Sequence, residues 1–341
     1  MSENPRVSDP PASAIKGAGY RGSIPWGPAV ALLALAAVLR CTNLMQMPIF
    51  CDEAIYLRWA QMIHQKPLLN AWISLIDPKP PLHYWLMAAL WDTTTDPLRM
   101  GRAISIVTAL LMIPALLALA RDLELLFHGS TLGLARRDAA TLHWPAPSGR
   151  LVGLIACLLT IVCPYLAFNQ RLALADGPFV FESVLAAWAS VRLALAIRNG
   201  VGFRRGLLVY SLPLGIIMGL TMLTRQNVSY VLWALPVMAV LLFRQRGPKP
   251  QDPATGSAFR RAAFLLVASA LIGTALWSPF LLAQPGRYRT EPDATGNTQP
   301  QFAAELKRRI LYQQHFSNPM TLQERASLAR KNFISMFIPA A

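Results

Sequence analysis

The stretch from Phe50 to Leu86, FCDEAIYLRWAQMIHQKPLLNAWISLIDPKPPLHYWL, decides how the rest of the chain is read. It follows the first long apolar run and places two adjacent carboxylates, Asp52 and Glu53, just beyond it. Asp77, Lys79 and the pair Pro80-Pro81 stand near its end. Charges at the edge of a hydrocarbon layer are costly unless they are solvated, paired or put to use, so this stretch is the first candidate for chemistry.

Outward from it, the chain is apolar. Hydrophobic residues make up 54% of the 341 positions and charged residues only 14%, against roughly 25% charged in a soluble protein. An all-α integral membrane protein is therefore expected. The net charge of +15 comes from short arginine clusters set between apolar runs. That is the asymmetry of membrane loops rather than a nucleic-acid stripe, and no nucleic-acid partner is expected.

Apolar length places about seven spans, near 24–44, 102–120, 151–168, 178–197, 207–223, 228–243 and 262–283. With the N-terminus inside, these spans put Arg121, Arg136, Arg137, Arg150, Arg198, Arg204, Arg205, Arg260 and Arg261 on one side. Asp52, Lys79, Asp176 and Arg225 fall together on the other. Residues 46–98 form a first outer loop whose amphipathic stretches, Ala54–His64 and Pro81–Trp91, are expected to lie along the interface. The second of these would reach only about 16 Å as a helix against a core of about 30 Å, so it is not counted as a span. Residues 1–23 read as a disordered cytoplasmic tail and 24–283 as the transmembrane unit. Residues 284–341 read as an outer amphipathic tail whose ending, NFISMFIPAA, looks like the start of another span and suggests a truncated chain.

The candidate residues each have a plainer explanation. Asp52 and Glu53 can charge the N-terminus of a helix; as chemistry, Asp52 is the preferred general base, with Glu53 supporting it. Asp52 and Tyr56 would share a helix face, and Tyr56 is expected to contact the substrate. Lys79, held in a proline-stiffened turn, suits a phosphate headgroup, whereas a snorkelling lysine is the plainer reading. Arg102, Arg171 and Arg225 stand at the outer ends of spans and can clamp a lipid phosphate. Asp176, before Gly177-Pro178, is a second candidate acid or else a helix N-cap. Tyr84, with Trp72 and Trp85, reads as a substrate contact or a membrane anchor. Cys41, Cys51, Cys157 and Cys163 lack zinc spacing, with a Cys41–Cys51 disulfide only weakly suggested, and the five histidines are scattered. No phosphate-binding loop, dinucleotide fingerprint or nucleophile elbow occurs, and no cofactor is required.

Together the residues resemble a known group. Asp52-Glu53 with Tyr56, then DPKPPLHYWL, GRAIS at 101–105, RLALADGPFVF at 171–181 and GLTMLTRQN at 219–227 resemble the GT-C membrane glycosyltransferases that use polyprenyl-phosphate sugars. The likeness is nearest to family 39, the lipid A aminoarabinose transferases and protein O-mannosyltransferases, and it covers roughly 24–280. It implies a GT-C module in which Asp52 activates the acceptor, Lys79 contacts the lipid phosphate, Asp176 is the second-loop acid and Arg225 a further cation. Pro78 stands where the aminoarabinose enzymes carry an acid implicated in metal binding, and Asp77 is one place off, so a divalent metal gains no support. The expected partners are a polyprenyl-phosphate sugar donor, a lipid, glycan or protein acceptor, and membrane lipids. The expected place is the inner membrane, with the site on the outer face. Two rival readings are a non-catalytic transporter or flippase, and an inactive truncated transferase subunit.

Overall fold

The computed structural model of the chain describes residues 26–73, 79–91, 96–131, 148–225, 232–245 and 253–282. Among the described residues the regular elements are helical and no strand occurs. In chain order they are α1 (Trp26–Cys41), α2 (Cys51–Gln65), α3 (Pro67–Asn70), α4 (Leu82–Ala89), α5 (Pro97–Thr131), α6 (Gly149–Val162), α7 (Pro164–Asn169), α8 (Asp176–Arg198), α9 (Phe203–Thr224), α10 (Ala234–Gln245) and α11 (Pro253–Leu282). Five segments are long and apolar enough to cross a membrane: Trp26–Gln46, Pro97–Leu126, Asp176–Arg198, Phe203–Thr224 and Arg260–Phe280. The all-α, membrane-type architecture follows.

Two of the seven expected spans are not realised at full length among the described residues. The third is broken. Pro164 has no N–H and forces Cys163 into extended backbone (φ −61°, ψ 115°), which ends α6 after 14 residues and starts the short α7. The sixth is represented by α10 alone, 12 residues long. The span expected at 102–120 is, conversely, part of a 35-residue helix. The proposed tails at 1–23 and 284–341, and Asp77, lie outside the described residues.

Contacts fix the helix directions. Gly177 at the start of α8 lies against Ser105 near the start of α5, and Arg198 at its end donates to the Leu125 and Leu126 carbonyls of α5, so the two run parallel. The α6 helix runs against α5, from Gly149 beside Ala120 and Glu124 to Cys157 beside Ile113. Arg40 at the end of α1 donates to Thr160 and Ile161, at the end of α6. The α9 helix returns to the start of α8, where Thr224 donates to Glu182. It runs parallel to α11 through close approach at Gly215 and Gly219: a Cβ at Gly215 would sit 2.7 Å from Ile272 and one at Gly219 2.8 Å from Leu276. Small residues four apart let two backbones meet, as in membrane helix pairs.

The bundle thus has two chemically different ends. One gathers α2, α4, the 171–176 segment and the end of α9. The other gathers Arg121, Arg192, Arg198 and Arg261, the last donating to Val201. A cluster of Tyr56, Ala60, Tyr84, Met87 and Leu172–Ala175 seals α2 and α4 onto the first end.

Candidate functional site

Glu53 is the centre of the first end. It is fully buried, and its carboxylate receives the Arg102 guanidinium in a two-pronged bond, Nε at 3.0 Å and Nη2 at 2.9 Å. The N–H groups of Phe50 (2.9 Å) and Ala173 (2.7 Å) also donate to it. Burial alone would raise this carboxyl; the Arg102, Phe50 and Ala173 donors outweigh it and hold Glu53 below the usual carboxylate range. Arg102 spends its remaining N–H groups on the carbonyls of Leu44, Met47 and Pro48. A guanidinium offers five N–H donors, and all five are taken here. Arg102, expected as a lipid-phosphate ligand, thus has every donor taken within the protein, and Glu53, expected to support Asp52, is bonded to Arg102 and two backbone N–H groups. Together they tie the loop after α1, the start of α2 and the 171–175 segment into one node. Gly101 makes this approach feasible, since a Cβ there would lie 2.8 Å from that of Ala173.

Asp52, one residue earlier, points the other way. Its side chain is 44% exposed, and Lys79 Nζ lies 3.4 Å from Oδ1. Lys79, only 16% exposed, sits 5.2 Å from the centre of the Tyr56 ring and 5.9 Å from that of Trp59. An ammonium over aromatic faces is held electrostatically as well as by its ion pair. Tyr84 is buried, and its hydroxyl donates to the Lys79 carbonyl at 2.6 Å. Tyr84, expected as a substrate contact or a membrane anchor, thus fixes the backbone that carries the lysine. Tyr56 is buried too, edge-on to His83 at 5.9 Å. Burial pushes His83 down to about 4, against a weaker opposing pull from the Ala173 backbone.

Asp176 and Arg225 form a second ion pair where α8 begins and α9 ends. Asp176 is the first residue of α8 and partners Arg225 instead of capping the helix. The pair borders a cleft of about 260 Å³, lined also by Tyr165, Asn169, Gln170 and Gly177. Arg171, the remaining expected phosphate ligand, donates to the Thr42 carbonyl at 2.5 Å, while its buried Nε has no partner among the described residues. The 172–176 segment links the two pairs: Leu172–Ala175 packs on α2, which bears Asp52, and on α4, and Asp176 follows it. The first set therefore divides into Asp52–Lys79 beside Tyr56, and Asp176–Arg225 across the 172–176 segment.

Several buried polar groups escaped the sequence reading. Arg40 reaches the carbonyl of Thr160, whose helical partner would be the missing N–H of Pro164, and also bonds Gln170 Oε1 at 2.8 and 3.0 Å. Glu182 accepts from Thr224 at 2.9 Å, and its second oxygen is buried without a partner among the described residues. Asp122, fully buried, holds Arg121, Arg192 and Trp188. The usable signal was the same each time: an ionisable residue inside or at the end of an apolar run, without a loop to explain it.

Cys41 and Cys51 are exposed free thiols, so the suggested disulfide is absent from this structure. No three His, Cys, Asp or Glu side chains converge among the described residues. Compared with known families, curated proteins and solved structures, the chain matches none, and what this end does is argued from its residues.

Proposed function

We propose that the chain is a GT-C-type glycosyltransferase of seven spans. In this reading it moves a glycosyl group from a polyprenyl-phosphate sugar to a lipid, glycan or protein acceptor. The single observation that carries this is the Asp52–Lys79 pair: a half-exposed carboxylate 3.4 Å from an ammonium, in a loop fastened to the end of an apolar bundle. The family resemblance of the flanking residues adds to it. The acid-bearing end is the outer, periplasmic or extracellular face of the inner membrane, because the arginine-rich end suits the cytoplasmic side.

The chemistry follows from the leaving group. An acceptor hydroxyl or amine attacks the anomeric carbon from the face opposite the phosphate, and the carbon–oxygen bond to phosphate breaks with inversion. The bonding electrons leave on the polyprenyl phosphate, whose added charge Lys79 stabilises. Asp52 takes the acceptor proton as general base. Tyr56, Trp59 and Tyr84 hold Lys79 in place, and Arg171 supplies further positive charge near the Asp176–Arg225 pair.

The test is transfer of labelled sugar in vesicles reconstituted with the purified protein, polyprenyl-phosphate sugars and mixed acceptors. Transfer by the wild type, lost in Asp52→Asn and Lys79→Ala, supports the proposal. Transfer that survives Asp52→Asn removes Asp52 from its central role. A second reading, transport of a lipid or solute, is favoured by Glu182, a carboxylate set inside a span. Label crossing the bilayer without transfer would select it.

A further inference from the structure

The opposite end of the bundle carries a charge cluster that the proposed chemistry does not use. Asp122 of α5 is fully buried. Arg121 donates to its Oδ1 through Nε (3.1 Å) and Nη2 (2.9 Å). From α8, Trp188 Nε1 donates to Oδ2 at 2.9 Å, and Arg192 Nη1 approaches the same oxygen at 3.5 Å. Trp188 and Arg192 are four residues apart, so one helix face presents both.

Two guanidiniums thus share one carboxylate, which leaves one positive charge over. Neither is buried: Arg121 is 38% exposed and Arg192 41%. Among the described residues the Arg192 guanidinium has this 3.5 Å approach and no hydrogen bond, and Arg121 Nη1 has no acceptor. Asp122 lies within the apolar segment Pro97–Leu126 and Arg192 within Asp176–Arg198, so the unfilled donors belong to apolar helices rather than to a loop. Charged side chains on such helices are rare and mark binding sites. Exposed Leu125 offers an apolar surface alongside.

We propose that Arg121 and Arg192, pre-set by Asp122 and Trp188, bind the phosphate of an anionic phospholipid in the leaflet at this end. The forked guanidinium fits phosphate oxygens, and basic pockets between spans on the cytoplasmic side suit such headgroups.

The experiment is native mass spectrometry of the intact protein taken from nanodiscs of phosphatidylcholine with a minor share of phosphatidylglycerol. Wild type is expected to retain phosphatidylglycerol selectively. The double variant Arg121→Gln/Arg192→Gln is expected to retain it about twenty-fivefold less, from about fivefold per guanidinium. Arg121→Lys/Arg192→Lys, which keeps the ion pairs with Asp122, serves if the glutamine variant does not fold; it is expected to lose at least fivefold with the fork. Arg204→Gln/Arg205→Gln, removing two charges elsewhere at this end, is expected to leave retention unchanged. Equal retention by wild type and both Arg121/Arg192 variants overturns the proposal. Loss as large in the Arg204/Arg205 control also overturns it, because general positive charge would then be responsible. Displacement of the lipid by millimolar inorganic phosphate likewise overturns it, since the site would then serve a free anion.

Discussion

Asp52 and Glu53 are neighbours in the chain and opposites in the structure. Glu53 is sealed from solvent with four donors on its carboxylate; Asp52 is nearly half exposed with one lysine at 3.4 Å. A helix turns 100° per residue, so two consecutive acids point in different directions. The buried one has become part of the scaffold, and the exposed one keeps a solvent-facing carboxylate beside Lys79. The lesson is that a charged residue at a membrane edge earns a functional reading only when its partners leave it something to do.

The comparison breaks most plainly through the scaffold pair. Glu53→Gln or Arg102→Gln should lower stability by about 3–5 kcal/mol, because each strands a buried partner. Thermal unfolding in one lipid mixture measures it, and a loss under 1 kcal/mol would mean that Glu53 is hydrated and free. Next comes the exposed pair, where the prediction is reversed. Asp52→Asn should change stability by no more than about 1 kcal/mol, yet slow glycosyl transfer by about 10²–10⁴ as loss of a general base does. If Asp52→Asn unfolds the protein while transfer per folded molecule is kept, the two acids have been assigned the wrong way round.

Acid sharpens the contrast through His83, which lies against Tyr56 and Ala173 beneath the loop that bears Lys79. The folded protein keeps it neutral down to about 4, whereas its ordinary value is 6.5. The unfolded chain therefore binds the extra proton first, and stability falls as pH drops from 6.5 towards about 4, then levels for this group. The full swing is on the order of 3 kcal/mol, and His83→Gln should flatten it in denaturation measured across that window. Glu53 adds a further loss at more acidic pH, once its depressed carboxyl is protonated. The smallest effect belongs to the half-exposed Asp176–Arg225 pair. Asp176→Asn should cost at most about 1 kcal/mol of stability, and a larger value would place this pair with the scaffold rather than with the cleft.

Much of this was legible in the residues. Apolar runs of about 20 residues pointed to helices, which satisfy their own backbone hydrogen bonds in lipid. The spacing of arginine clusters separated Asp52, Lys79, Asp176 and Arg225 from the basic loops, and the contacts place those four at one end of the bundle. What could not be read was which charge spends its bonds internally. Arg102, Arg171 and Arg225 looked alike as cations at span ends. One proves saturated by Glu53 and three carbonyls, one leans on Thr42, and one is paired with Asp176. Tyr84 gave no sign that its hydroxyl would be used by the Lys79 carbonyl, since that contact depends on how α4 packs on α2.

The sequence by itself determined the class of molecule and set the acid-bearing end apart from the arginine-rich one, while the break at Pro164 was found only in the structure. Hydropathy and charge asymmetry act locally and need no partner. Only the tertiary structure decided the fate of each charge. Burial, donors and acceptors come from segments far apart in the chain, as when Ala173 and Arg102 close on Glu53, or α8 brings Trp188 and Arg192 to Asp122. The free energy of an ionised group is set by those neighbours, and no spacing along the chain records them.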